Sequence, residues 1–79
     1  MTFKERFELT NLQKFDSIFG KVTANTSKGI WIDIGEGICG FASYSTLPIG
    51  TTLLCSIRRL DLEKEFVLLD IDSTISVAA

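Results

Sequence analysis

Residues 29–37 read Gly-Ile-Trp-Ile-Asp-Ile-Gly-Glu-Gly, and this stretch decides the predicted fold class. Its three isoleucines alternate with Trp31 and Asp33, which is the period of two typical of a β-strand with one buried face. The glycine-rich end, residues 35–37, predicts a tight hairpin turn into the next strand. We therefore expect the isoleucines to point into a core and Trp31 to point outward.

Turn signals on both sides of this stretch divide the rest of the chain into further strands. A polar turn at residues 25–28 precedes it, and Pro48 with Gly50 marks a short connection where strand pairing stops. The predicted strands cover residues 15–25, 29–34, 37–43, 52–60 and 65–72. Five short strands with turns at intervals of roughly 8 to 12 residues favour a small closed β-barrel, because closure removes the unpaired edges of an open sheet.

Residues 2–14 form the one predicted helix. Thr2 and Glu5 have the spacing of a capping box, and Phe3 and Phe7 fall on one helical face. The predicted core consists of inward-facing aliphatic residues of the strands: Val22, Ile30, Ile32, Ile34, Leu53, Ile57, Val67, Leu69 and Ile71.

Composition excludes several classes of protein. With 46% apolar residues among 79, the chain is not intrinsically disordered. It contains no histidine, which removes Ser-His and Cys-His nucleophile pairs and histidine-ligated metals, so we predict no enzymatic activity. Its cysteines, Cys39 and Cys55, are too few for a disulfide scaffold and are expected to be small buried hydrophobes.

Charge and hydropathy bear on location and partners. The start, MTFKERFEL, has no apolar segment of signal-peptide length, and no run approaches the roughly 20 residues that span a bilayer. These features predict a soluble, cytoplasmic domain with no membrane partner. The net charge of -2 disfavours binding of nucleic acid mainly through phosphates, although stacking aromatics can act on an acidic protein.

Several runs of this sequence resemble the S1-type RNA-binding domain, a member of the OB-fold family. They are Gly20-Lys21-Val22, Gly29 to Ile34, Gly40 to Leu47, and the later Gly50, Ile57, Leu60-Asp61 and Val67 to Asp70. The match covers roughly residues 12 to 72. The resemblance implies an S1-like OB barrel over residues 15–72. Together with the predicted helix, this divides the chain into a helical segment over 1–14, the barrel, and a C-terminal tail over 73–79.

The resemblance also implies a place for a ligand. In that family single-stranded RNA lies across the outer face of the central strands, and an aromatic residue two places after the position of Gly29 stacks on a base. That place holds Trp31. Asp61 also matches the family pattern.

Other positions depart from the family. Lys28 stands where a second aromatic residue is common, and Ser43 stands where a histidine is common. A basic residue is common near Phe66, where the candidate here is Lys64. The connection between the third and fourth strands is short, and the helix at residues 2–14 is a candidate to cover the barrel end that a longer connection normally covers.

Two functional hypotheses follow. The first is a module that binds single-stranded nucleic acid weakly, RNA ahead of DNA, by aromatic stacking on the outer barrel face. Its candidate residues are Lys21, Lys28, Trp31, Phe41, Ser43, Arg58, Asp61, Lys64 and Phe66. The second is a protein-interaction or oligomerisation module that kept the barrel and lost RNA binding, and its contact is the same apolar outer face, to which Leu54 and Leu68 also belong.

The remaining charged residues have plainer interpretations. Arg58 and Arg59 read as a solvated pair offset by Asp61 and Glu63. Four acidic residues at strand positions have no ligand-loop spacing, so we expect no metal site. No cofactor is expected either.

Overall fold

The computed structural model describes residues 2–78, and these form a closed barrel of five strands with one short helix before it. The elements are α1 (Phe3–Leu9), β1 (Ser17–Asn25), β2 (Ile30–Asp33), β3 (Cys39–Ala42), β4 (Thr52–Asp61) and β5 (Phe66–Ser76). This confirms the predicted five-stranded OB-fold barrel. The predicted helical segment and tail include Met1 and Ala79, which lie outside the described residues.

The strands close in the order β1-β2-β3-β5-β4. All neighbours are antiparallel except β3 and β5, which run parallel with Gly40 opposite Val67 and Phe41 opposite Leu68. This parallel contact joins the β2–β3 hairpin to the β4–β5 hairpin. It therefore brings together residues that are far apart in the sequence.

The core agrees with the predicted alternation at seven of nine positions, while Ile34 and Ile71 are only partly buried and pack against its edge. Ile34 lies one residue beyond the end of β2, where the chain leaves the sheet. The core also contains residues outside the predicted set: Phe3, Phe7, Ile38, Ala42 and Cys55. Cys55 is the buried hydrophobe that we expected, but Cys39 is exposed, because it begins β3 with its side chain on the outer face.

Helix α1 is shorter than the predicted 2–14. The capping box is present, with the Thr2 hydroxyl accepting from the Glu5 N–H at 3.2 Å and the Glu5 carboxylate accepting from the Thr2 N–H at 3.2 Å. The Thr2 hydroxyl also donates to the Glu5 carboxylate at 2.9 Å, and this bond, followed by the bond from the Thr2 N–H, lowers the pKa of Glu5. The helix ends at Leu9, because the Thr10 hydroxyl donates to the Phe7 carbonyl and Asn11 takes a left-handed φ of 58°. Phe3 and Phe7 nonetheless place the helix against the core.

Strand β5 continues past the predicted end at residue 72 to Ser76. Its last residues pair with the start of β4, where Leu53 lies opposite Thr74 and Thr52 opposite Ser76. The first residues of β4 thus gain hydrogen-bond partners on both sides, since β1 pairs with their other edge. No helix of residues 2–78 has the length and apolarity needed to cross a membrane.

Candidate nucleic-acid interface

Three aromatic side chains meet on the outer face of the barrel. Trp31 on β2 lies 4.9 Å from Phe41 on β3 and 5.4 Å from Phe66 on β5, measured between ring centroids, and the two phenylalanines are 6.2 Å apart. All three are half-buried, and the ring planes cross at 59° to 78°. Such tilted pairs stabilise one another by about 0.5 to 1.5 kcal/mol each beyond their buried area. The cluster is therefore a firm platform rather than three loose side chains.

These rings line an open groove of about 400 Å³, here called the aromatic groove. Its lining residues are Thr26, Ser27, Lys28, Trp31, Phe41, Lys64 and Phe66. Five of them are among the nine predicted site residues. Thr26 and Ser27 were missed, because the polar run 25–28 was interpreted only as the turn between two strands. The turn forms as predicted, and it also forms one wall of the groove.

The two lysines of the aromatic groove are carried by turns that side chains hold in place. The Thr26 hydroxyl accepts from the Lys28 N–H at 3.3 Å and donates to the Gly29 carbonyl at 2.8 Å, which closes the β1–β2 hairpin. On the other side the Asp61 carboxylate accepts from the Lys64 N–H at 2.9 Å, which fixes the β4–β5 turn. Each lysine thus projects from an ordered backbone.

Gly29 makes room for the aromatic cluster. A Cβ at this position would overlap the Ala42 carbonyl oxygen and lie 2.7 Å from Cζ of Phe41. No side chain fits there without moving the backbone of β3 or the Phe41 ring. The glycine thus allows Phe41 to lie close over the β2 backbone, next to Trp31.

The other four predicted site residues lie outside the aromatic groove. Lys21 is on β1 opposite Asp33, and Ser43 is exposed just after the end of β3. Asp61 is half-buried at the end of β4, where its carboxylate faces the backbone of the next turn. Arg58 lies on β4, with Nη1 3.8 Å from Oδ1 of Asp70. The expected offset of Arg58 by Asp61 or Glu63 is therefore wrong, because Asp70 on the adjacent strand β5 is its ion-pair partner.

The two half-buried leucines of the predicted apolar face lie in different parts of the barrel surface. Leu68 is the Cα partner of Phe41, so it continues the aromatic face across β5. Leu54 instead pairs with Phe19 of β1, beyond the aromatic groove. The predicted single apolar face is thus divided between two sides of the barrel.

Acidic residues and thiols do not assemble into a metal site in the part of the chain that the structure describes. No group of three or more Asp, Glu, Cys or His side chains among residues 2–78 is arranged to hold an ion. Cys55 lies in the core, where desolvation, with the nearby Asp72 carboxylate as a second cause, raises the pKa of its thiol to about 11. It is therefore a neutral apolar side chain at physiological pH.

Comparisons with known proteins bear on the fold. No protein-family model matches the sequence, and no curated protein matches it. Among solved structures, the chain is similar to GSP13 from Bacillus subtilis, determined in solution, with 19% sequence identity and a TM-score of 0.65. The match covers 76% of this chain and 55% of GSP13, so the chain spans little more than half the length of that protein. Likeness at this identity shows a shared barrel fold.

Proposed function

We propose that this barrel binds single-stranded nucleic acid, RNA ahead of DNA, by stacking bases in the aromatic groove. The observation that carries this proposal is the direct contact among Trp31, Phe41 and Phe66 in one open groove with a lysine on each side. Single-stranded nucleic acid is bound by this combination in general: rings stack on bases, and cations follow the phosphates.

The preference for RNA has two supports. The runs around Gly29 and Gly40 resemble those of the S1-type RNA-binding domain. In addition, Ser27 puts a hydroxyl group into the lining, where it can exchange hydrogen bonds with a ribose 2′-hydroxyl, whereas the Thr26 hydroxyl is already bonded within the turn. A cytoplasmic location stays an expectation from the sequence.

The lining of the aromatic groove is better suited to binding a ligand than to catalysing a reaction. Its lining residues include lysines, hydroxyls and aromatic rings but no carboxylate or thiol from the described part of the chain. The commonest general bases, histidine and carboxylate, are therefore not among these lining residues, and the chain contains no histidine. Affinity is expected to be weak and little dependent on base sequence, because two lysines release few counterions and stacking accepts any base.

Trp31 is the single tryptophan of the chain, so its fluorescence reports on the aromatic groove alone. We expect a ten-nucleotide RNA to quench this fluorescence saturably, and a DNA of the same sequence to do so at higher concentration. Anisotropy of a labelled RNA measures binding by variants that lack Trp31. Trp31→Ala should weaken binding about ten-fold or more, because stacking contributes roughly 1 to 3 kcal/mol per base.

Phe19→Leu is a matched control for this experiment. Phe19 is 66% exposed on β1 and lines no part of the aromatic groove, so its replacement should leave RNA affinity unchanged. The proposal is contradicted if millimolar RNA leaves the fluorescence and the amide resonances of Trp31, Phe41 and Phe66 unchanged.

A protein-interaction or oligomerisation module is the second candidate. It is favoured by a separate groove of about 630 Å³, here called the aliphatic groove, which is lined by Leu9, Thr10, Leu12, Ile18, Phe19, Ile34 and Glu36. Leu9 and Phe19 are 69% and 66% exposed there. If this candidate holds, Phe19→Asp should shift sedimentation towards a smaller species, while Trp31→Ala should leave RNA affinity unchanged.

A further inference from the structure

A second exposed surface with aromatic and basic side chains lies where the segment before β1 crosses β4. This groove of about 470 Å³, here called the basic groove, is lined by Lys14, Phe15, Arg58, Arg59 and Leu68. It holds three of the eight lysines and arginines of the chain. Arg58 forms a 3.8 Å ion pair with Asp70, and this pair is solvent-exposed on both sides. Such a pair is weak and leaves Arg58 free to exchange Asp70 for a phosphate.

Phe15 presents its ring to solvent from a rigid backbone. Its side chain is 74% exposed, yet its N–H donates to the Ile57 carbonyl at 2.6 Å, and the next residue, Asp16, accepts from the Ile57 N–H at 2.9 Å. Its φ is 74°, a conformation that bulky residues rarely adopt and that persists only where the surroundings impose it. A large apolar ring held in this way, exposed among cations, is suited to stack on a ligand.

Lys14 is already placed against this ring. Its Nζ lies 5.2 Å from the Phe15 ring centroid, which is within cation–π range. A base stacked on Phe15 would therefore have an ammonium group beside it, and Arg58 and Arg59 lie in the same groove. The basic groove thus offers both a stacking surface and charges for the phosphates that flank a stacked base.

The two grooves are joined by one row of residues across the sheet. Trp31 on β2 is the Cα partner of Phe41 on β3, Phe41 is the partner of Leu68 on β5, and Leu68 is the partner of Arg59 on β4. Adjacent strands are about 4.8 Å apart, so three steps place Arg59 roughly 14 Å from Trp31 along the surface. At the roughly 3.4 Å per nucleotide of one strand in a double helix, this distance corresponds to about four nucleotides.

We propose that the basic groove is a second subsite for the same nucleic-acid strand, with a base on Phe15 and phosphates at Lys14, Arg58 and Arg59. This inference rests on the proposed function and deepens it, because it assigns the path of the strand: from the aromatic groove across Leu68 towards β4. A strand of about ten nucleotides occupies both subsites. A dinucleotide is too short to span them and occupies the aromatic groove.

The test compares oligouridylates of two and ten nucleotides on two variants. Phe15→Leu keeps an apolar side chain and removes the ring; we expect it to weaken ten-nucleotide binding about five-fold or more. Arg59→Gln removes a charge; we expect the dependence of log affinity on log salt to become shallower by about 0.7, the value for one lost contact to a single strand. Neither variant should alter the affinity for the dinucleotide, read from Trp31 fluorescence.

Two control variants match these changes outside both grooves. Phe19→Leu removes an exposed ring, and Lys4→Gln removes an exposed charge from α1. Both should bind the two ligands as the unchanged protein does. Phe15 and Arg59 are exposed, so all four variants should keep the circular dichroism spectrum of the folded barrel.

The outcomes separate the inference from the proposed function. If Phe15→Leu and Arg59→Gln bind the ten-nucleotide RNA like the controls while Trp31→Ala loses affinity, the second subsite is refuted and the proposed function stands. If the unchanged protein binds neither oligonucleotide at millimolar concentration, both fall. If octaglutamate binds the unchanged protein at concentrations where the ten-nucleotide RNA does not, and Arg59→Gln removes that binding, the basic groove is a site for acidic peptides and the inference is overturned.

Discussion

The aromatic groove and the aliphatic groove are both exposed apolar surfaces of one small barrel, and they differ in what they can bind. In the aromatic groove three rings contact one another and lysines stand on either side. In the aliphatic groove leucine, isoleucine and one phenylalanine are accompanied by Glu36, and none of its described lining residues is basic. Apolar exposure by itself therefore does not indicate nucleic acid; rings with a free face beside cations do.

This difference also separates the two functional hypotheses. Bases need a π-face and phosphates need positive charge, and the aliphatic groove offers one exposed ring and no cation among its described lining residues. Its side chains instead match the apolar side chains of a protein surface. The aliphatic groove is thus a second location for a protein contact, away from the outer face to which the sequence assigned it, and the two grooves can be tested with different variants.

The largest expected effect comes from a substitution in the core that supports both grooves. Ile32 is fully buried beside Trp31 in β2, and its Cγ2 occupies the space above Gly20. Ile32→Ala should lower the free energy of unfolding by about 2 to 5 kcal/mol, because it leaves a cavity. Urea denaturation measures this, with Ile75→Ala as a control at a residue that is 53% exposed. Equal midpoints for the two variants would show that the inward assignment of β2 is wrong.

The next effect is the pH dependence of stability, which should differ between a cysteine inside the barrel and one on its outer face. The pKa of buried Cys55 is raised to about 11, so its thiol is neutral in the folded state where an unfolded thiol ionises. The higher pKa of the buried thiol stabilises the folded state fully below about pH 9. As the pH rises towards 11 this stabilisation is lost, which lowers the free energy of unfolding by as much as about 2 to 3 kcal/mol. Urea midpoints of the unchanged protein should therefore fall more between pH 8 and 11 than those of Cys55→Val.

Cys39 provides the control for this prediction, because it is exposed at the start of β3. Cys39→Val should keep the full alkaline loss of stability. A thiol reagent at pH 8 should modify Cys39 rapidly and Cys55 only as fast as the barrel opens. Equal reaction rates for the two thiols would contradict the burial of Cys55.

A smaller effect compares the rings of the two grooves as contributors to stability. An outward Trp31 that touched nothing would be removed at little cost to folding, but the structure shows Trp31 half-buried between two other rings. Trp31→Ala should therefore cost about 2 kcal/mol, the sum of its two aromatic contacts and some buried area. Phe19→Ala should cost less than about 0.5 kcal/mol, since Phe19 is 66% exposed. Equal thermal midpoints would mean that the aromatic cluster is not formed in solution.

The smallest effect concerns which lysines contact RNA under the proposed function. Lys28 and Lys64 line the aromatic groove, whereas Lys21 lies on β1 outside it. Each of Lys28→Gln and Lys64→Gln should make the salt dependence of RNA affinity shallower by about 0.7. Lys21→Gln should leave it unchanged. A slope that responds to Lys21 alone would move the strand away from the aromatic groove.

The amino-acid sequence alone determined the number and approximate bounds of the strands, the direction of most side chains and the class of the fold. Isoleucines at every second position of residues 30–34 indicate one buried face, and the opposite parity puts Trp31 outside. Turn chemistry is equally local: Thr26 and Asp61 act on backbone groups two and three residues away, so the sequence around them is enough to place a turn.

Tertiary structure decided which outward residues meet. Phe66 is far from Trp31 and Phe41 in the sequence, and it joins them because β5 pairs in parallel with β3. Strand parity says only that each of these side chains points outward. Register across a barrel depends on bulges and on closure, which no local pattern encodes.

The same reason explains the residues that the sequence analysis missed or misplaced. Phe15 lies beside Arg58 and Arg59 in one groove because the segment before β1 hydrogen-bonds to Ile57 of β4. Arg58 forms an ion pair with Asp70 because β4 and β5 are neighbours in the closed sheet. The alternation of inward and outward side chains belongs to a single strand, so it can be recognised in the sequence of that strand. A groove is shared by several strands and forms only when their order and register are set.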